Sequence, residues 1–178
     1  MRFRDIAQQD WPAIAALESA AYTEHGLSEG VRALRSRAGF PATCFVVEDG
    51  REVVGYSIAL PYPFGSYPDL HCSESDRPGP AGERPDNLHW HDIVIAPGHR
   101  DRGVLRAFLP QLTTVARKLG FRRISLVSVL DNEQRWSRLG FKARRDIPVG
   151  DAYGAQGVYM TRVIAAIGTH PATASSED

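Results

Sequence analysis

The stretch that decides the fold runs from His89 to Leu105 and reads HWHDIVIAPGHRDRGVL. Its first part mixes apolar and β-branched residues with two histidines, which predicts a strand. Its second part is a short turn with two arginines and a glycine, and helical spacing of apolar residues follows from Val104 to Leu119. The start of that helix presents unpaired backbone N–H groups and the positive end of the helix dipole. The turn is therefore expected to bind an anion, and phosphate suits this arrangement best.

The composition predicts one soluble domain that does not bind nucleic acid, a membrane or a metal. The 178 residues carry 21 Lys+Arg and 21 Asp+Glu, so the excess of positive charge that favours nucleic acid is missing. No apolar run reaches the roughly 18 residues of a membrane span, and the first residues do not resemble a signal peptide. Cys44 and Cys72 are too few for a disulfide framework and lack the spacing of a metal site. We expect a cytoplasmic protein with no metal and no nucleic-acid or membrane partner.

The rest of the chain alternates between strand and helix patterns. Strand patterns lie at 3–6, 43–48, 53–60, 124–130, 141–143 and 157–167, and helical spacing recurs at 10–21, 28–38, 102–119 and 131–139. Asp49-Gly50 predicts a hairpin turn, because both residues tolerate positive φ. This order predicts an α/β (α+β) fold in which one crossover joins two parallel strands. We expect a single domain over residues 1–167, followed by a disordered tail over 168–178.

A long proline-rich segment, residues 61–87, separates the hairpin from the opening stretch. Proline removes backbone donors, so no regular element is expected there. Its first half carries Tyr62, Phe64 and Tyr67. Two interpretations stay open: the rings pin the segment to the core, or they form a lid over an apolar substrate.

Three separated pieces of sequence carry a family resemblance. The first is Ile93-Val94-Ile95-Ala96-Pro97 with Arg100-Asp101-Arg102-Gly103, the second is the hairpin ending in Gly55-Tyr56, and the third is Trp136-Ser137-Arg138-Leu139-Gly140-Phe141. In this order and spacing the chain resembles the GNAT superfamily of acyl-CoA-dependent N-acetyltransferases. The resemblance implies a mixed, splayed central sheet flanked by helices, with acetyl-CoA as co-substrate between the signature strand and the next parallel strand.

The resemblance also implies which residues hold the cofactor. Backbone groups of the signature strand would pair with the pantetheine and the thioester, and N–H groups of the following turn would bind the pyrophosphate. The implied cofactor-binding residues are Ile93, Val94, Ile95, Arg100, Asp101, Arg102, Gly103, Val104, Leu105, Arg106, Asn132 and Trp136. Leu105 stands where the family signature ends in glycine or alanine, and Asn132 is a rough match to an asparagine that contacts CoA in the family.

His89 and His91 are the candidate catalytic residues. An amine must lose a proton before it can attack a thioester, and imidazole titrates near neutral pH. On a regular strand the two rings would share one face, about 7 Å apart, while Trp90 and Asp92 would point to the other face. The pair is also similar to the paired-histidine strand of the serotonin (arylalkylamine) N-acetyltransferases within the superfamily. The alternative is that both histidines only face solvent or bond to the core.

The general acid for the leaving thiolate is not evident from the sequence. GNAT relatives place a tyrosine where this chain has Trp136, and an indole N–H does not give up its proton. Water, Ser137, Tyr153 and Tyr159 stay open as proton donors. Trp136 is expected to pack against the cofactor or the core.

These features predict an N-acetyltransferase that passes the acetyl group directly to a primary amine in a ternary complex. The aromatic residues of the 61–87 segment and the histidine pair favour a small-molecule amine, with a peptide or lysine amine as the other acceptor class. A homodimer is in keeping with the family resemblance. Trp136 and Leu105 also leave open an alternative, a non-catalytic acyl-CoA-binding or regulatory module.

Overall fold

The computed structural model describes residues 1–74 and 85–164. Its strands are β1 (Arg2–Asp5), β2 (Phe45–Asp49), β3 (Glu52–Pro61), β4 (Asn87–Ile95), β5 (Arg123–Ser128), β6 (Lys142–Ala143) and β7 (Val158–Val163). Its helices are α1 (Trp11–Tyr22), α2 (Gly30–Arg37), α3 (Val104–Lys118) and α4 (Glu133–Arg138). Each predicted strand and helix is present, with ends that differ by a few residues. No helix in the described part of the chain is long and apolar enough to cross a membrane.

The strands form one mixed sheet in the order β1-β2-β3-β4-β5-β7-β6. Only β4 and β5 run parallel, and α3 makes the crossover between them. These two strands pair from Asn87↔Arg123 to His89↔Ser125 and then separate. The predicted splayed α/β sheet is therefore confirmed, and its opening lies beside the C-terminal half of β4.

Helices cover both faces of the sheet. One face packs against α3 and α4 through a core that contains Trp90, Phe108 and Trp136. The other face packs against α1 and α2, whose Ile14 and Leu34 are fully buried. Full burial of a large apolar side chain stabilises the fold by about 1.5–3 kcal/mol, so these contacts fix the helices on the sheet.

The hairpin and the proline-rich segment differ in detail from the predictions. The β2–β3 turn uses Gly50-Arg51 rather than Asp49-Gly50, since Asp49 still pairs with Glu52. Gly50 supplies the positive φ that such a turn requires. The described part of the 61–87 segment is irregular, as predicted, apart from its two ends, which belong to β3 and β4. The predicted tail, 168–178, lies outside the described residues.

The rings of the proline-rich segment pack against aromatic residues of the sheet and its adjacent loops. The ring centroids of Phe64 and Tyr159 are 6.1 Å apart, and those of Tyr67 and Tyr153 are 5.3 Å apart; both pairs pack edge to face. Tyr67 also donates a hydrogen bond to the carbonyl of Pro148. The rings therefore pin residues 62–74 to the domain, and this segment's contribution to the cavity described next is an aliphatic residue, Leu70.

Candidate active site

A cavity of about 110 Å³ lies where β4 and β5 separate. Apolar and aromatic side chains from both strands and from the neighbouring loops form most of its wall, and its polar lining comes from Tyr22, Glu29, His91, Asp92, Asn132 and Tyr153. Since convergent polar groups in an otherwise apolar pocket are typical of substrate sites, this cavity is the candidate active site.

A β-bulge in β4 shapes the cavity. Trp90 pairs with Ala59 and Asp92 with Ile58, so His91 is an extra residue without a partner on β3. The bulge shifts the alternation of side chains by one. Trp90 points to the α3 face, where it packs on Trp136, whereas Asp92 points to the α1–α2 face. The prediction that Asp92 lies opposite the histidines is therefore wrong, because it assumed a regular strand.

His91 lines the cavity and its side chain is only 1% exposed. Its Nε2 lies 2.5 Å from Oε1 of Glu29, the residue just before α2. Its Nδ1 is buried and has no hydrogen-bond partner among the described residues. A ring nitrogen without a protein partner, on a residue that lines a cavity, is a candidate to exchange a proton with a bound molecule.

His89 lies behind His91 rather than in the cavity wall. The ring centroids are 6.1 Å apart, slightly closer than a regular strand would give. His89 is fully buried, and its Nδ1 lies 3.0 Å from the hydroxyl of Ser125, which also accepts a hydrogen bond from Asn87. Burial and the nearby charges of His91 and Arg37 hold the pKa of His89 well below its usual value. His89 is therefore neutral near pH 7, and a proton acceptor role falls first to His91.

Asp92 forms a buried acidic centre next to His91. It accepts hydrogen bonds from Tyr22 at 2.9 Å and from Tyr56 at 2.5 Å. Burial raises the pKa of Asp92 from 3.8 to about 6, although the charge of His91 and the two hydroxyl donors oppose the rise. A carboxyl group with such a pKa changes charge within the range in which most enzymes work.

Replacing Asp92 by asparagine is expected to change how stability depends on pH. Between about pH 4 and pH 6 the folded protein keeps a proton on Asp92 that the unfolded chain has lost, so stability falls as pH rises through this range. The shift of 3.8 to about 6 corresponds to about 3 kcal/mol. D92N should therefore gain about 3 kcal/mol relative to wild type between pH 4 and pH 7, measured by urea unfolding.

Asp101, which is 89% exposed, provides the control for this measurement. D101N removes a carboxylate from solvent, so its stability relative to wild type should stay nearly constant over the same pH range. A D92N profile parallel to that of wild type would show that Asp92 does not titrate near pH 6.

The predicted anion-binding turn, residues 96–106, lies at the end of β4. Its backbone turns through positive φ at Asp101 and Gly103, and α3 begins at Val104 without a side-chain cap. The first N–H groups of the helix are therefore open to a ligand. The backbone N–H of Arg100 already donates to the carbonyl of Pro97, so within the predicted range 100–106 this group is not open to a ligand. Leu105 lies inside α3 and has no positive φ, so its position does not require glycine.

Of the remaining predicted cofactor residues, three line the cavity, while Val94 is buried in the core on the α1–α2 face. Ile93, Asn132 and Trp136 line the cavity, and Ile95 pairs with Gly55 on β3. A side chain at Gly55 would meet the Val94 carbonyl at 2.9 Å, so glycine is needed for the close approach of β3. The Asn132 amide donates to the Val129 carbonyl, and Trp136 packs on Trp90 and Phe141. Trp136 thus belongs to both the core and the cavity wall.

Of the proton donors left open by the sequence, the structure brings one to the cavity. Tyr153 lines it, and its hydroxyl donates to the carbonyl of Pro68 at 2.7 Å. Burial raises the pKa of Tyr153, so its hydroxyl keeps its proton at neutral pH. Ser137 is exposed on α4, and the Tyr159 hydroxyl accepts the amide of Gly65 away from the cavity.

Sequence reasoning did not find Glu29, Arg37 or Tyr22, which all come from the α1–α2 region. Arg37 is fully buried and donates from Nε to Glu29 at 2.6 Å. Burial favours the neutral acid, but the charges and hydrogen bonds of His91 and Arg37 outweigh it and lower the pKa of Glu29. One signal was present in the sequence: Arg37 follows Leu34 by three residues, at a position of α2 that an apolar side chain would normally occupy.

A larger, open depression of about 830 Å³ lies between α1 and the β2–β3 hairpin. Its central arginine, Arg4, is already paired with Asp10 and Glu48. It contains neither a histidine nor a cysteine in its wall. We therefore assign the chemistry to the smaller cavity at the sheet opening. Within residues 1–74 and 85–164, no group of three or more His, Cys, Asp or Glu side chains is arranged to hold a metal ion.

The fold and the opening beside β4 agree with the family comparison. Residues 4–141 match the family model described as the acetyltransferase (GNAT) family. The chain therefore belongs to the GNAT family of acetyltransferases. No curated protein matches it significantly in sequence.

Solved structures with the same fold cover nearly the whole chain. They include the GphF GNAT-like decarboxylase in complex with isobutyryl-CoA, with a TM-score of 0.70 and 17% identity over 93% of this chain and 100% of that one. The ribosomal-protein-S18-alanine N-acetyltransferase from Escherichia coli has a TM-score of 0.64 and 16% identity over 96% and 97%. A phosphinothricin acetyltransferase from Sinorhizobium meliloti, in complex with AcCoA, has a TM-score of 0.64 and 18% identity over 97% and 93%. At these identities the similarity establishes the fold.

Proposed function

We propose that this protein transfers an acetyl group from acetyl-CoA to the primary amine of a small molecule, directly and within a ternary complex. The observation that carries the proposal is the position of His91: the residue lines the cavity at the sheet opening, and its Nδ1 has no partner among the described residues. The open start of α3 lies at the end of the same strand. A base and an anion-binding turn on one strand are what transfer from a CoA thioester requires.

The cofactor fits the geometry of β4 and the anion-binding turn. Acetyl-CoA lies along the edge of β4 that β5 leaves free, with Ile93, Val94 and Ile95 facing the pantetheine arm and the thioester. The N–H groups of residues 101–106 bind the pyrophosphate, aided by the helix dipole. Trp136 and Asn132 close the far side of the opening.

The proton transfers of the proposed reaction begin at His91. His91 accepts the proton of the amine at Nδ1, directly or through water, and His89 supports it from behind. The neutral amine then attacks the thioester carbon, and backbone N–H groups of β4 stabilise the oxyanion. The C–S bond breaks, and the extra proton on the new amide nitrogen passes to the leaving thiolate, directly or through water. The Tyr153 hydroxyl lines the same cavity, but it donates to the Pro68 carbonyl and its pKa is raised by burial, so the leaving thiolate does not depend on it for a proton.

The cavity favours a cationic acceptor of modest size. Two carboxyl groups, Glu29 and Asp92, line a space of about 110 Å³ whose other walls are largely apolar. An alkylamine arrives as an ammonium ion, which these groups attract, and its apolar part contacts residues such as Leu70 and Leu126. A peptide or lysine amine is the other acceptor class to screen.

A second candidate function comes from the GphF GNAT-like decarboxylase, which has the same fold and an acyl-CoA ligand. Decarboxylation requires the cavity to hold the carboxylate of an acyl group. Glu29 and Asp92 repel such a group, and Arg37, the buried cation beside them, is already paired with Glu29 and Glu74. We therefore favour amine acetylation.

The test combines thiol release with product identification. Purified protein with acetyl-CoA and a panel of arylalkyl, alkyl and peptide amines should release free CoA thiol, and mass spectrometry should show an N-acetylated product for at least one amine. Malonyl-type thioesters without amine test decarboxylation in parallel. Saturable acetyl-CoA binding without turnover of either kind would instead support the non-catalytic module.

Reversing a charge in the anion-binding turn should weaken cofactor binding. R102E places a carboxylate beside the start of α3, where the pyrophosphate is expected, and should raise the Kd for CoA about tenfold. K142E reverses a charge at an exposed position of β6, which β5 and β7 separate from β4, and should leave the Kd unchanged. Thermal shift with CoA, acetyl-CoA and NAD measures this, because a ligand at about 100 times its Kd adds about 2.7 kcal/mol to stability. Equal effects of R102E and K142E would remove the turn from the cofactor site.

A further inference from the structure

A buried ionic network stands behind His91, and the transfer steps above make no use of it. Glu29 presents its two carboxylate oxygens to two different groups: Oε1 contacts Nε2 of His91, and Oε2 accepts from Nε of Arg37. Both Glu29 and Arg37 are nearly or fully inaccessible to solvent, at 5% and 0% exposed. A charged pair removed from water is costly to bury unless all its hydrogen bonds are made.

The network fixes the position of the proton on the His91 ring. The Glu29 carboxylate is ionised, since the pKa of Glu29 is lowered, and an ionised carboxylate only accepts hydrogen bonds. The close contact with Nε2 therefore requires that Nε2 carries a hydrogen. In the neutral ring the lone pair is then on Nδ1, the nitrogen that has no partner among the described residues.

We propose that Glu29 and Arg37 are positioning residues: Glu29 holds a proton on His91 Nε2 and leaves Nδ1 as the proton-accepting atom, while Arg37 fixes Glu29 in that orientation. This inference rests on the proposed acetyl transfer for its catalytic meaning. The arrangement of the three side chains follows from the contacts themselves.

Arg37 also connects this network to the wall of the cavity. Its guanidinium donates to the carbonyls of Asp69 and Cys72 and to the carboxylate of Glu74. Leu70, between the two carbonyls, lines the cavity. The same arginine thus sets the orientation of the base and the position of the segment that covers it.

The start of α2, which carries Glu29 at its N-terminal boundary, is fixed in turn by Glu18 of α1. The buried Glu18 carboxylate accepts the amides of Glu29 and Gly30 and the hydroxyl of Ser28. Glu29 therefore has little freedom in its backbone as well as in its side chain. A carboxylate whose backbone and side chain are both fixed is suited to orient the imidazole ring of His91.

Replacing Glu29 by glutamine keeps the shape of the side chain but changes its hydrogen bonding, so it tests which ring nitrogen of His91 carries the proton. An amide has one acceptor oxygen, and Arg37 has donors only, so the amide oxygen must face Arg37. The NH₂ group then faces His91 Nε2, which becomes the acceptor, and the proton moves to Nδ1. E29Q therefore inverts the tautomer and removes the lone pair from Nδ1.

The experiment measures the ¹⁵N shifts of the histidine rings by NMR, together with kcat and KM, in wild type, E29Q and E133Q. Glu133 pairs with Arg145 at the surface, so E133Q is the matched control. We expect wild type and E133Q to show the Nε2–H form of His91. E29Q should show the Nδ1–H form, with kcat lowered about 100-fold and the KM for acetyl-CoA unchanged.

Each outcome decides the inference. A wild-type His91 ring in the Nδ1–H form overturns it without any variant, which matters if E29Q does not fold. An unchanged tautomer in E29Q, or an inverted tautomer with full activity, also overturns it. If wild type acetylates no amine but the tautomer inverts as expected, the network stands as described and the proposed function fails.

Discussion

Replacing His91 by alanine is expected to lower kcat for amine acetylation by about 10²–10⁴-fold, which is the usual contribution of a general base. The side chain lines the cavity, and its Nδ1 is the ring nitrogen available to the amine. Steady-state kinetics with the best amine of the panel, over a range of pH, provide the measurement. The loss should appear in kcat and leave the KM for acetyl-CoA nearly unchanged.

Two further histidine variants distinguish the role of His91 as the base from the role of His89 behind it. His89 lies behind His91 and outside the cavity wall, so H89A should lower kcat less than H91A, and the double variant should lose little more than H91A alone. His25, exposed just after α1, is the control, and H25A should leave the rate and the pH profile unchanged. An unchanged pH–rate profile in the double variant would remove both histidines from the chemistry.

Replacing Arg37 by glutamine is expected to destabilise the protein by about 3–5 kcal/mol, because it leaves the buried Glu29 carboxylate without its cation. It also removes hydrogen bonds to the carbonyls of Asp69 and Cys72. Chemical denaturation at pH 7 gives the free energy of unfolding. Since domains of this size are stable by about 5–15 kcal/mol, the loss is large but measurable.

Arg32 provides the matched control on the same helix. It is exposed, so R32Q should change the free energy of unfolding by no more than about 0.5 kcal/mol. If R37Q were as stable as R32Q, Glu29 would not depend on Arg37 for its charge, and the network behind His91 would lose its anchor.

The fold could be predicted because its signals are local and repeated. The apolar strands, the turn after β4 and the amphipathic α3 each have a pattern that their own sequence determines, and the three family pieces fix their order. The turn between β4 and α3 could be predicted for the same reason, since its geometry depends on Asp101, Gly103 and the start of one helix. That it binds an anion stays a prediction.

The details of the site depend on contacts that sequence patterns do not report. The bulge at His91 is a shift of one residue in the register between β3 and β4. The sequence pattern of β4 by itself does not indicate this shift. Glu29 lies 62 positions from its histidine, and before folding it resembles an ordinary charged residue near a helix start. Arg37 occupies a position of α2 where helical spacing predicts an apolar side chain. This was the local sign of a buried ion pair.

The central claim places the acetyl group of acetyl-CoA in the opening between β4 and β5, next to His91. A crystal structure with bound acetyl-CoA or CoA tests this most directly. The account predicts the pyrophosphate on the amides of residues 101–106, the pantetheine along Ile93–Ile95 and the thioester beside the His91 ring. Cofactor bound elsewhere, such as in the depression between α1 and the β2–β3 hairpin, or a thioester out of reach of His91, would contradict it.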